Sequence, residues 1–407
     1  MIKRVAILGL LASALLFAER IKVPVKPYQS RLDDPYYRSL LYRSAVTPTG
    51  VNTAAREYLQ SMAGIPVPGT LRVLAIRVEF PEDDDPTTWG NGKMDLEGFG
   101  SPSDGLYYDP PHDRTYFENQ MQGLRNFYLL NSRGRLVIEY DVYPNDPFRC
   151  YQVPHRMGYY GDTSNLDRGL TLFMRDALLA AASDSEIDFS RYHYVHNGRS
   201  FDMIIIFHAG STIQSSYWFG YTSDLASATV TPGALGAYTG QDSVLVNGVG
   251  IKTASIVPES PRVEGVMTGL PGLHYHEFSH LLGGYDLYDV SGYTQGVGAW
   301  SLMGGGGWLG YPAGQIPSMH DAFHRYWFGW GNPIVVTSDT TVSLYSAEFD
   351  TLLIPDWEAE KRPTLIQVPI RCDENGNPKE YFLIENRQAD VKAKDTVEVD
   401  VKGGVPV

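Results

Sequence analysis

Cysteine is nearly absent: Cys150 and Cys372 are the only two in 407 residues. They permit one intramolecular disulfide at most. A disulfide framework, a cysteine zinc knuckle and an iron–sulfur centre are excluded. Basic residues are also short, with 33 Lys and Arg against 47 Asp and Glu, a net charge of −14 and a pI near 5.1. A nucleic-acid-binding protein would need a basic face, so no nucleic-acid partner is expected. The same imbalance opposes docking on anionic lipid. Beyond the N-terminus no apolar run approaches the roughly 20 residues of a membrane span. Internal repeats and low-complexity tracts are lacking too. What is present, 43% hydrophobic and 20% charged residues, suits a folded chain rather than a disordered one. The length predicts two or three domains.

The first residues read as an export signal. Lys3 and Arg4 precede an apolar run from Val5 to Phe17, and Ala12-Ser13-Ala14 and Leu16-Phe17-Ala18 both offer small residues for signal peptidase. The run is too short to span a bilayer, and no lipobox cysteine follows, so residues 1–18 are expected to be a cleaved secretory signal. The mature protein is then secreted or extracytoplasmic, with no stable membrane insertion. Residues 19–66, with Pro24, Pro27, Pro35 and Pro48 and a helical candidate at Ala54–Met62, are a propeptide, which would make the protein a zymogen, or an N-terminal wrap. Both readings stay open.

The periodicity then predicts a strand at Leu71–Phe80 with alternating apolar positions, a helix at Tyr116–Leu130, a strand at Arg135–Tyr143, a helix at Leu170–Ala182 and a buried strand at Phe201–Phe207. Val244–Val246 and Val249–Ile256 flank Asn247-Gly248, a hairpin turn signal. From Ile334 onward the chain reads as strands and stops without a closing turn, as a fragment of a longer protein would.

The chemistry gathers on one segment, His276-Glu277-Phe278-Ser279-His280-Leu281-Leu282-Gly283-Gly284-Tyr285-Asp286. Histidines four apart share one face of a helix. Two neutral imidazoles so placed grip one zinc ion. Glu277 between them is placed to take a proton from a metal-activated water and pass it to a leaving amine. Gly283 and Gly284 can end the helix, after which Asp286 arrives as a third, anionic ligand and a fourth position stays open. Downstream, Met303 sits in a glycine-bounded turn, Gly298-Ala299-Trp300-Ser301-Leu302-Met303-Gly304.

The stretch from His276 to Asp286, followed by Met303, resembles the immune inhibitor A family of secreted metallopeptidases. These are metzincin-like zincins with the pattern H-E-x-x-H-x-x-G-x-x-D. The resemblance extends to Leu71–Phe80, Tyr116–Pro144, Phe201–Gly210, Tyr285–Asp289, Pro317–Trp330 and Glu380–Gln388. It implies zinc ligands at His276, His280 and Asp286, a catalytic glutamate at Glu277 and a turn methionine at Met303. Tyr285 departs from the pattern, since many members have proline before the aspartate. The implied fold is α+β: a zincin catalytic domain over 67–332, with a twisted mixed sheet, an active-site helix and a Met-turn, then a β-rich region over 333–407. The implied activity is zinc-dependent hydrolysis of peptide bonds in proteins or peptides. Substrate would lie extended, pairing with an edge strand such as Gly250–Val257. The competing reading is a catalytically inactive surface or binding protein on the same scaffold.

Other residues carry weaker signals. Asp83, Asp84, Asp85, Asn91 and Asp95 offer oxygen ligands for a structural calcium ion, against the plainer reading of a solvated acidic loop. His274, two residues before His276, should face away from the metal. His208 reads as a strand-end core histidine or a cleft residue. Asp289 could ligate, or anchor the loop bearing Asp286. Tyr311 is considered as an oxyanion donor and set aside because its offset from Met303 is unsuitable.

Overall fold

The computed structural model describes residues 69–100, 108–162, 164–196, 199–288, 296–348, 363–388, 396–402 and 405–406, all within one compact unit. The signal, the 19–66 segment and Asp289 lie outside the described residues. The central element is a mixed sheet ordered β2-β1-β4-β6-β5: β1 is Gly69–Glu79, β2 Leu136–Tyr143, β4 Ile204–His208, β5 Ala228–Val230 and β6 Ala254–Pro258. The short β3, Tyr151–Gln152, also pairs with β1. All these pairings are parallel except that of β5 with β6, which is antiparallel. Parallel neighbours need a crossover, and helix α1, Arg114–Asn131, supplies the one between β1 and β2. Helix α2, Leu166–Ala181, also packs against the sheet.

Three sequence expectations shift here. β1 alternates in sequence, yet Val73, Leu74, Ala75, Ile76 and Val78 are all buried, because a parallel strand is covered on both faces. The expected strand Phe201–Phe207 breaks at Met203, whose N–H turns to Tyr192 O; only the part from Ile204 joins the sheet. The expected strand Val249–Ile256 breaks at Lys252 and Thr253. Both amides donate to the buried Asp202 carboxylate, at 2.7 and 3.2 Å. Residues before the break form the expected hairpin, Asn247 and Gly248 taking φ of 48° and 85°. Residues after it form β6, an interior strand. The edge proposed at Gly250–Val257 is therefore occupied, and among the described strands β5 ends that side of the sheet.

Under the sheet runs helix α3, Leu270–Leu281, buried along most of its circumference. It is the site helix, and α1 braces it: the Tyr128 hydroxyl reaches Tyr275 O and Ser279 Oγ at 2.7 and 2.6 Å. A short helix α4, Ala322–Trp327, starts at Asp321, whose carboxylate caps Phe323 and His324 N–H groups. Further strands follow in two small sheets, around a minor core of Val336, Leu344, Ile366 and Val368. Among the described residues no helix is long and apolar enough to cross a membrane. Both cysteines are free; burial pushes the Cys150 thiol up to about 12, and Cys372 is exposed.

Candidate metal centre

Helix α3 begins without a side-chain cap. Gly269 and Gly272 N–H groups donate instead to Ala313 and Gly314 carbonyls, at 2.7 and 2.8 Å. At its other end Gly283 adopts φ 83°, a left-handed conformation that glycine takes cheaply. Its N–H donates to His280 O at 3.0 Å, and the Gly284 N–H to Ser279 O at 2.8 Å, the paired bonds of a Schellman motif. This turn reverses the chain and brings Asp286 back to the helix.

His276 and His280 project from one face, and both use Nδ1 on main chain. Nδ1 of His276 lies 3.0 Å from Leu302 O, and Nδ1 of His280 lies 2.8 Å from Gly284 O. A carbonyl only accepts, so each neutral ring carries its hydrogen on Nδ1 and turns the Nε2 lone pair inward. Asp286 Oδ1 stands 3.1 Å from one Nε2 and 3.4 Å from the other. It is buried without a hydrogen-bond donor. Three lone pairs thus converge, which is unfavourable unless a cation or protons sit between them. Metal-free, the group answers with protons. Burial lowers the basicity of both imidazoles, but the Asp286 charge outweighs it. His280 rises to about 9 and His276 also rises. Asp286 is held well below the usual carboxylate range: burial opposes this, and the His280 and His276 charges prevail. Ligand bonds of about 2.0–2.2 Å in a tetrahedral site put donor atoms about 3.4 Å apart. The observed separations match, so the donor set fits a small divalent ion. Among the described residues it is the only group of three or more His, Cys, Asp or Glu ligand atoms so gathered.

Glu277 is 4% exposed. Burial raises its carboxyl pKa, with partial relief from the neighbouring imidazoles. Its carboxylate Oε2 lies 3.3 Å from Thr229 Oγ1, and its main-chain carbonyl accepts from Ser255 Oγ at 2.9 Å. A narrow cleft of about 30 Å³ opens beside it, lined by Leu273, His276, Glu277, Tyr288 and Trp308 among others.

Two loops hold the third donor. The Tyr285 N–H donates to His324 Nε2 at 3.1 Å, while His324 Nδ1–H donates to Asp321 Oδ2 at 2.7 Å. The Leu287 N–H donates to Met303 O at 2.7 Å. Met303 itself is fully buried in a turn closed by Gly304 N–H to Ser301 O, at 3.0 Å. The turn therefore contacts both arms of the site, through Leu302 O and Met303 O.

Sequence reasoning brought together His276, Glu277, His280 and Asp286, and they do converge. It gave no role to Thr229 and Ser255, which carry no local motif, nor to Asp321 and His324, which lie within the Pro317–Trp330 stretch noted only for its resemblance. His274 does face away: it is fully buried against Phe207, at 5.1 Å between ring centroids. Its burial lowers its pKa to about 3. His208 lies in the core between Phe80 and Phe173. Tyr288, not Tyr311, lines the cleft, and Tyr311 is 61% exposed. The acidic loop does not gather its carboxylates. Asp83, Asp85 and Asp95 each use Oδ1 on amides of their own loop.

Residues 242–330, which contain all four site residues and Met303, match the catalytic domain of immune inhibitor A peptidase M6. The chain is also similar to the pre-pro-metalloprotease PrtV of two Vibrio cholerae serotype O1 strains, M66-2 and ATCC 39315 / El Tor Inaba N16961. Each is 23% identical over 375 residues, covering 82% of this chain and 38% of the relative. The chain thus spans well under half the length of these curated relatives. Across the site the chain is thus similar to the catalytic domain of the immune inhibitor A metallopeptidases, and over a longer stretch, more weakly, to a metalloprotease.

Proposed function

We propose that the chain is a secreted zinc endopeptidase acting on proteins, with His276, His280 and Asp286 as zinc ligands and Glu277 as general base and acid. The observation that carries this reading is the convergence of three inward lone pairs beside a buried carboxylate at an open cleft. Bound there, zinc would supply Lewis acidity and make a water acidic enough to ionise near neutral pH. Glu277, made more basic by burial, takes that water's proton and returns it to the departing amine. The turn around Met303 serves as the Met-turn, an apolar floor whose main-chain carbonyls orient the ligands.

The outer edge of β5 offers main-chain groups to an extended substrate. Just before it, the Gln214 side chain holds the Ser227 main chain, Nε2 donating to Ser227 O at 2.8 Å and Oε1 accepting from Ser227 N at 3.0 Å. Unfolded casein is the test substrate. Cleavage should cease when a chelator strips the metal and return when zinc is restored. Cleavage indifferent to the chelator would contradict the proposal.

A further inference from the structure

Thr229 and Ser255 face one another across the antiparallel pairing of β5 and β6. Their hydroxyl oxygens are 2.8 Å apart. Both reach over the site helix to the same residue. Ser255 Oγ lies 2.9 Å from Glu277 O. Thr229 Oγ1 lies 3.0 Å from that carbonyl and 3.3 Å from Glu277 Oε2. Ser255 is fully buried, so water does not compete for its hydroxyl.

Each hydroxyl has one hydrogen to give. The carboxylate is the charged acceptor of the group, and charge-assisted bonds are the stronger ones. The Thr229 hydrogen therefore goes to Oε2 when Glu277 is ionised, while Ser255 serves the carbonyl or Thr229. Oε2 is tied to the sheet, and Oε1 is the carboxylate oxygen that Thr229 does not hold. We propose that Thr229 is a positioning residue for Glu277, fixing which carboxylate oxygen meets the reacting water and coupling the base to the edge strand. This inference rests on Glu277 being the base. Its consequence is that seating a substrate on β5 and aiming the base are set by one three-residue strand.

The test uses the purified full chain with fluorescent casein, reading kcat, KM, bound zinc and melting temperature. Thr229→Val keeps the shape and removes the hydroxyl; Thr229→Ser keeps the hydroxyl. The expectation for Thr229→Val is one bound zinc, KM within about twofold, and kcat lower by about 10- to 100-fold, the range for a misplaced reacting group. Thr229→Ser should recover to within a few-fold of the parent. If the valine variant melts early, Thr229→Ala takes its place, with the same expected loss in kcat. Wild-type kcat without the hydroxyl would overturn the inference, as would a serine variant as slow as the valine one. Glu277→Gln in the same assay separates the two levels. Activity surviving in Glu277→Gln would overturn the base assignment itself. An inert Glu277→Gln beside a fully active Thr229→Val would overturn only the role given to Thr229.

Discussion

The two histidines owe their aim to main-chain carbonyls. Leu302 O and Gly284 O fix the Nδ1 hydrogens, and the lone pairs follow. The histidine spacing was legible because it is a local property of a helix. The carbonyls were not, because a sequence does not say which peptide oxygen will meet a ring. A further buried histidine has a carboxylate at each ring nitrogen. His112 sits 2.6 Å from Glu259 Oε2 and 3.1 Å from Asp109 Oδ1. Burial works against its charge, but the Glu259 and Asp109 carboxylates prevail and lift it to about 10. A pKa raised on folding gives stability that is full below the unfolded value of about 6.5 and is lost as pH rises through the folded value. The melting temperature should therefore fall between pH 6.5 and 10. A His112→Gln variant should be less stable at pH 6.5 and show a flatter decline. An equally steep decline in that variant would argue against a charged His112.

At the scale of elements, the site depends on how closely α3 can lie on the segment after Met303. A Cβ on Gly272 would come within 1.7 Å of Gly307 O, a main-chain atom that cannot swing aside. Gly272→Ala should cost about 1–3 kcal/mol, as overpacking does, measured by urea unfolding, and should lower turnover by tilting the helix that carries His276. A neutral effect would mean that the helix and the loop are not in close contact. The elements themselves were largely legible. Gly283 and Gly284 announced the helix end, and Asn247-Gly248 the hairpin. What misled was continuity: Phe201–Phe207 and Val249–Ile256 each read as one strand. The buried Asp202 captures the Lys252 and Thr253 amides, turning one apparent strand into a hairpin arm and a sheet strand. That displaced the edge strand from Gly250–Val257 to Ala228–Val230, a segment too short to register as a strand by pattern.

Across the whole molecule, the segment that follows the strand Pro378–Ile384 is not a loose appendage. Arg387 is 9% exposed at its side chain and pairs with Glu348. It also donates to Trp300 O at 2.7 Å, within the Met303 turn, and to Ser318 Oγ at 2.9 Å, downstream of it. Removing one partner of a well-buried pair costs about 3–5 kcal/mol; Glu348 is partly exposed, so the lower end applies. Arg387→Ala should therefore lower the urea midpoint and loosen zinc retention together. A stability loss with zinc affinity unchanged would show that this grip does not reach the site.

The central claim is that His276, His280 and Asp286 hold a zinc ion that Glu277 puts to work. Its most direct test is native mass spectrometry of the chain and its Glu277→Ala variant, with casein cleavage measured on the same samples. The account predicts one zinc per chain in both and cleavage only in the parent, the variant falling by about a hundredfold or more, as loss of a general base does. Absence of zinc from the parent, or cleavage persisting in the variant, would contradict it.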